Sequence, residues 1–407
     1  MIKYSTRSAL LLVSLVLLFL VAAQCVPAPT AAPPESEAPA AMEAAPEEAA
    51  EPAAPAEGPI VIGLHAPLTG PNAQFGAAMR DGALLAVAGI NEQGGINGRP
   101  VELVVGDDKS DPTEGVAVIQ RFLADDEIVG MLGGFNSSVN LATQEKTGEA
   151  GVVHLNMGAS PRLAQDQTGN PTLFRAILTD KVFVPATAEY IIQDQGLTRM
   201  AMIGENTDYG LAEMDTMVEL APEMGAEIVA QETFNPGDTD FSAQLAKISQ
   251  TDPDVLMVAG LITEAALIAQ QAEAVGIDAQ LFSPSDGVDS PQFAELGGEA
   301  VEGYLFASMI DLNREAPVVQ TFRQLAEAQG VDAQAYTAIT YDAANVLFDA
   351  FAAVGTDGAV VADYLKQNEF RGVTGLIAFD DVGDRVSPPF IRQVQNGEFV
   401  TVKAPGE

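Results

Sequence analysis

Cysteine occurs once in this 407-residue chain, at Cys25, and tryptophan not at all. Past residue 58 there is no thiol, so the body has neither disulfides nor a cysteine nucleophile. Two histidines, His65 and His154, are too few for a histidine-based zinc site, and both read as structural residues on strands. Basic residues are scarce as well, 19 against 57 acidic ones, for a net charge of -38. Such a surface repels phosphate and excludes nucleic acid as a partner. The acidity reads as a solubility device. Cation capture would need carboxylates at ligand spacing, and the pairs Asp107-Asp108 and Asp380-Asp381 form no such loop. The sequence carries no G-x-S-x-G, no phosphate-binding glycine loop and no metal motif, so an enzyme is not expected, nor any cofactor.

What is present begins with an address. Lys3 and Arg7 precede the apolar run 9–23, a charged start and hydrophobic stretch of signal-peptide length. The run is short for a membrane span, which needs about 20 residues. Ala22-Ala23-Gln24-Cys25 resembles a bacterial lipobox, with Gln24 where a small residue is usual. Lipidation of Cys25 after removal of residues 1–24 is expected; an uncleaved anchor or ordinary cleavage nearby are the alternatives. Residues 26–58 hold 13 Ala, 8 Pro and 7 Glu, with no aromatic, Ile or Leu. That composition is a disordered tether, expected to hold the body clear of a membrane.

From Pro59 the pattern changes to alternating strands and helices. Strands are predicted at Ile60–His65, Val101–Val105, Ile128–Leu132 and Val152–Leu155, with helices over 73–91, 113–124 and 139–150 between them. The series restarts with strands at Met200–Ile203, Glu227–Thr233, Val255–Ala259 and Gln280–Phe282. Helices over 182–195, 211–223, 241–249 and 263–275 accompany them. The alternation predicts an α/β protein with parallel sheets, and the restart predicts two lobes. Ligands of such sheets sit at the carboxyl ends of strands, where helix N-termini offer free N–H groups. Gly133-Gly134-Phe135-Asn136-Ser137-Ser138 and Gly158-Ala159-Ser160-Pro161 are loops of this kind. Ser137 is expected to cap the helix that follows, to bind a carboxylate, or both.

Three further segments carry a resemblance. Gly70-Pro71-Asn72-Ala73-Gln74-Phe75-Gly76, Ile90-Asn91-Glu92-Gln93-Gly94-Gly95-Ile96-Asn97-Gly98 and Asp107-Asp108-Lys109-Ser110-Asp111-Pro112 resemble the leucine/isoleucine/valine-binding proteins. These are type I periplasmic binding proteins of branched-chain amino-acid ABC importers, so a branched-chain or related amino acid is the implied ligand, and the resemblance spans about residues 59–400. It implies two Rossmann-like lobes joined by a three-segment hinge: 59–178 plus 308–380, and 179–307 plus 381–407. The helical tract 317–365 would then return to the first lobe and the strand near Phe390–Val394 to the second.

The resemblance also implies site residues. Ser137, Ala159 and Ser160 would hold a ligand's polar head. Tyr209 would close over it, or else pack at a helix start. Asp286 would take the ammonium, or else serve as a turn residue. Phe75, Phe135, Asn136 and Leu261 would line the side-chain pocket, with the two phenylalanines alternatively plain core. Asn136 adds an amide to that pocket, so a related amide or carboxylate is a further ligand class. The expected partners are an amino-acid-like ligand, ABC permease subunits and a membrane reached through the anchor. The protein is expected to act as a monomer outside the cytoplasm; handing the ligand to a separate receptor is the rival role. Read as ending at Glu407, the chain is expected to lack a following membrane span or DNA-binding head.

Overall fold

The computed structural model describes residues 58–124 and 128–405; the leader, Cys25 and nearly all of the tether lie outside them. The described body begins with β1 (Ile60–Ala66), α1 (Ala73–Glu92), β2 (Val101–Asp107), α2 (Pro112–Ala124), β3 (Ile128–Gly133), α3 (Ser137–Glu149), β4 (Val153–Asn156), α4 (Gln165–Thr168) and β5 (Leu173–Arg175). A second series follows: α5 (Asp180–Ala188), β6 (Arg199–Glu205), α6 (Asp208–Glu223), β7 (Glu227–Phe234), α7 (Ser242–Ile248), β8 (Val255–Ala259), α8 (Ile262–Ala274), β9 (Gln280–Ser283), α9 (Pro291–Gly297) and β10 (Leu305–Ser308). Last come α10 (Pro317–Ala328), α11 (Ala335–Val354), α12 (Gly358–Gln367), β11 (Phe370–Gly372), β12 (Gly375–Ile377), β13 (Phe390–Gln395) and β14 (Glu398–Lys403).

Two large sheets result. The first has the order β2-β1-β3-β4-β5 and is parallel throughout. The second has the order β14-β13-β10-β9-β8-β6-β7. Its core is parallel, and β13 and β14 join it antiparallel. A β11-β12 ribbon forms a third, small sheet. Every residue of β1 and β8 is buried, as expected for central parallel strands covered by helices on both faces.

The sequence pattern locates the strands it predicts to within two residues, but misses the short β5, β10, β11 and β12 and the six-residue β14. The helix predicted over 182–195 starts earlier, at Asp180, and widens into a π-helical turn over Glu189–Asp194. Pro185 inside α5 removes one backbone donor from its ladder. The late helix α11 packs on α1 of the first series. Their backbones approach so closely at Gly82 that an added Cβ would lie 2.2 Å from the Thr337 carbonyl oxygen.

Three chain segments pass between the sheets, and buried polar groups tie them together. Leu178 N lies 3.3 Å from Met309 Sδ. The Arg385 guanidinium, 1% exposed, donates to the carbonyls of Ala176 (3.1 Å) and Thr374 (3.2 Å). Arg175, also 1% exposed, pairs through Nε with Asp384 at 2.8 Å. Losing one partner of a buried pair strands the other charge, a cost of about 3–5 kcal/mol. Arg175→Met is therefore expected to lower unfolding free energy by about that amount in denaturant titration.

Candidate functional site

The site is built from the carboxyl end of β3 outward. Gly133 and Gly134 turn the chain with φ of 101° and 74°, a region that favours glycine. A Cβ at Gly134 would also sit 1.8 Å from Asn140 Oδ1. The turn is pinned by Gly134 N to the His65 carbonyl (2.8 Å), and by Met157 N and Asn140 Nδ2 to the Gly134 carbonyl (3.1 and 2.6 Å). Beneath it His154 Nε2 lies 3.0 Å from the Gly133 carbonyl, and His65 Nδ1 lies 3.1 Å from Asp108. Burial and neighbouring His65 push His154 down to about 3, so it is neutral. It is a buried interior histidine, as the sequence suggests, but its Nδ1 has no partner among the described residues.

The cap of α3 differs from the expectation. Asn136 occupies the cap position and Ser137 is the first helical residue. Ser137 Oγ instead accepts a hydrogen bond from Ser160 N at 3.2 Å. That bond joins the two glycine-serine loops that the sequence singles out, on the adjacent strands β3 and β4. Arg175 fixes the second loop from behind, donating to the carbonyls of Gly158 and Ser160.

Facing these loops are α6 and the segment after β9. Thr207 caps α6 by accepting from Gly210 N. Tyr209, in the first turn, places its hydroxyl 3.0 Å from Ser285 Oγ. Asp286 accepts from the Tyr336 hydroxyl at 3.4 Å through Oδ1, and its Oδ2 has no partner among the described residues. Between the two sides lies a pocket of about 310 Å³.

Ser137, Ala159, Tyr209, Asp286, Phe135, Asn136 and Leu261 all line this pocket. Phe75 stands one layer back, stacked on Phe135 with ring centroids 4.2 Å apart. Ser160 is fully buried beside Ser137, its Oγ without a partner among the described residues. Met157, Ile177, Gly287 and Tyr336 also line the pocket and escape the sequence reading. Nothing in the local pattern marks Tyr336, which lies in a helix 50 residues beyond Asp286.

Two more buried acids were not anticipated. Asp180 and Glu213 are completely buried; neither Asp180 oxygen has a hydrogen-bond partner among the described residues, whereas Glu213 has the hydroxyls of Ser285 and Tyr209 beside it. Burial pushes Asp180 up to about 7 although Arg175 pulls it down. Burial raises Glu213 well above the usual carboxylate range, with Asp180 adding to the rise. Asp286 is pushed up to about 8, first by burial and then by Asp289 and Asp180. One side of the pocket thus presents hydroxyls and N–H groups, and the other presents the Asp286 carboxyl, with Asp180 and Glu213 buried near it.

The raised acids set a pH dependence. Between its ordinary 3.8 and about 8, folded Asp286 keeps a proton that the unfolded chain has lost. Stability from this source therefore falls as pH rises through that window. His154 acts in the opposite sense, but only below its ordinary 6.5. From pH 6.5 to 8 the ligand-free protein is expected to lose stability. Asp286→Asn should lose about 1–2 kcal/mol less, read by denaturant unfolding at each pH.

Comparison with known proteins bears on this geometry. The family model described as periplasmic binding protein matches residues 59–398. Leu/Ile/Val-binding protein homolog 1 of Brucella suis is 32% identical over 335 residues, covering 82% of this chain and 89% of its own length. The crystal structure of a leucine binding protein, LivK, from Thermotoga maritima superposes with a TM-score of 0.78 at 28% identity, covering 84% of this chain and 97% of that one. The branched-chain amino acid transporter substrate binding protein LivJ of Streptococcus pneumoniae, solved with isoleucine, gives 0.78 at 27% identity, covering 85% and 100%. A match over nearly all of the described body, with two α/β sheets and a pocket between the loops that follow their strands, means that this chain belongs to the periplasmic binding protein family, in the type I fold of the leucine/isoleucine/valine-binding proteins.

Proposed function

We propose that the protein captures an amino acid outside the cytoplasm, in the pocket between its lobes, and delivers it to the permease of an ABC importer. The observation that carries this reading is the two-sided pocket. Taking a zwitterion out of water costs several kcal/mol per charge unless each charge meets a partner. Ser137, Ser160 and the backbone at Ala159 are suited to the carboxylate. Asp286, with Asp180 behind it, is suited to the ammonium, which supplies a counter-charge inside the pocket. Phe135, Asn136 and Leu261 remain for the side chain, with Phe75 bracing Phe135.

In this reading the lobes are 59–178 plus 308–380 and 179–307 plus 381–407, and they close as a hinge on the ligand. Arg162 and Asp208 pair at 2.8 Å between the second loop and the start of α6. The pair is half-exposed and worth at most about 1 kcal/mol, so the ligand's own contacts would supply most of the closing energy. Tyr209 serves as the lid: a Cβ on Gly287 would lie 2.4 Å from its hydroxyl, so the lid seats only over glycine. The protein works as a monomer, held at the membrane by lipid on Cys25 and spaced from it by the tether.

A thermal-shift screen of the protein against amino acids tests the ligand class, because a ligand that binds only the folded form raises the unfolding temperature. At least one amino acid is expected to do so, and silence across all of them would defeat the reading. Ser137→Ala and Asp286→Asn are each expected to weaken that ligand by about 1.5–3 kcal/mol in calorimetry. Cys25→Ser is expected to move the protein from the membrane fraction to the soluble fraction of fractionated cells; unchanged partition would remove the lipid anchor.

A further inference from the structure

Asn136 stands at the cap of α3 with extended backbone (φ -80°, ψ 131°), yet its side chain makes no capping hydrogen bond. Asparagine in that position ordinarily turns its oxygen back onto the N–H groups of the first helical turn. Here the residue lines the ligand pocket, and its Oδ1 is sealed from water with no partner among the described residues. Its backbone carbonyl is satisfied by Asn140 N at 3.1 Å, so the shortfall lies in the side chain.

The pocket itself does not make up that shortfall. Phe135, Met157, Ile177 and Leu261 bring no side-chain donor to it. The two phenols are engaged elsewhere, Tyr209 with Ser285 and Tyr336 with Asp286. A buried acceptor left unmatched is a standing cost, and an aliphatic ligand side chain would leave it in place. A hydroxyl or carboxamide would remove it. A cationic side chain would be stripped of water against the apolar wall, and an anionic one would meet Asp286 and the strongly acidic protein.

Resting on the amino-acid reading above, we infer that Asn136 is a specificity-determining residue, selecting a neutral amino acid whose side chain carries a hydrogen-bond donor over an aliphatic one of the same size. The carboxylate and ammonium are matched by the serines and the acids, which leaves Asn136 to read the side chain. Sites that hydrogen-bond a substrate group discriminate strongly against analogues lacking it, because their own polar atoms are then left unpaired.

Threonine and valine make the sharpest pair of probes, since they differ by a hydroxyl for a methyl; asparagine and leucine make a second. Calorimetric titration of the full-length protein in detergent is expected to give threonine a Kd lower than valine's by about tenfold or more, with the same order for asparagine over leucine. Asn136→Leu is expected to reverse both orders while its unfolding temperature stays near the wild-type value. Valine binding the wild-type protein as tightly as threonine would overturn the inference and leave amino-acid capture standing. So would an unchanged order in a folded Asn136→Leu. Failure of every amino acid to bind would defeat the capture reading and this inference with it. The wild-type ratio decides the matter even if the variant does not fold.

Discussion

Three carboxyl groups buried near one another, one of them facing the pocket, are the constraint around which the site is organised. Both oxygens of Asp180 and one of Asp286 meet no hydrogen-bond partner among the described residues, and Glu213 has only the hydroxyls of Ser285 and Tyr209 beside it. Ionised together they would repel one another in a medium that screens poorly. Burial raises all three, and a raised acid lowers that cost by favouring its protonated form. An ammonium ion offers another solution, a positive charge in place of a proton. The opposing loops hold donors and no acid of their own, so a dipolar guest has one orientation that satisfies both walls. The arrangement is directional because the donors belong to β3 and β4 and the acid Asp286 follows β9 of the other sheet.

The donors must hold still for that complementarity to count, and charge buried away from the pocket keeps them in place. Arg175 sits under the Gly158–Ser160 loop, donating to two of its carbonyls while Asp384 balances its charge. With those carbonyls held below, the loop's Ser160 N is directed at Ser137. Asp384 belongs to a segment that crosses between the sheets, so the loop is braced by the hinge region itself. Arg385, the next residue, bonds carbonyls from two of the crossing segments. A pin made of directed hydrogen bonds resists sliding more than it resists small rotations. A fully apolar hinge would lack that directional restraint.

The parts of this fold that were legible in the sequence are those whose signal is local. β1 and β8 are unbroken apolar runs because both faces of each strand are covered. The two site loops stood out because glycine and serine follow a strand and precede a helix. β5 and β10 did not, being three and four residues long. β14 alternates too weakly to register, with no fully buried residue. The acid Asp286 was found through a family resemblance, whereas Asp180, Glu213 and Tyr336 reach the site from helices whose positions only tertiary packing decides. Serine is a good capping residue, so the sequence allows Ser137 to cap, to bind a carboxylate, or both; the loop's geometry puts Asn136 at the cap and turns Ser137 toward Ser160.

That exchange of places has a physical consequence. A capping side chain is spent on its own helix and is unavailable to a guest. With Asn136 at the cap but not bonded to the helix, and Ser137 one residue inside, two polar side chains on consecutive residues are released from local duty. Ser137 is engaged by the neighbouring loop, which orients it. Asn136 has no such engagement, and its oxygen lies beside aromatic and aliphatic side chains that cannot satisfy it. An apolar residue there would give a better-satisfied empty pocket, since an unmatched buried acceptor is destabilising. Retaining an amide among apolar walls is reasonable only if something that enters the pocket completes its hydrogen bonding. The affinity of that guest then includes relief of a cost that the empty protein carries, and a guest without a donor forgoes the relief.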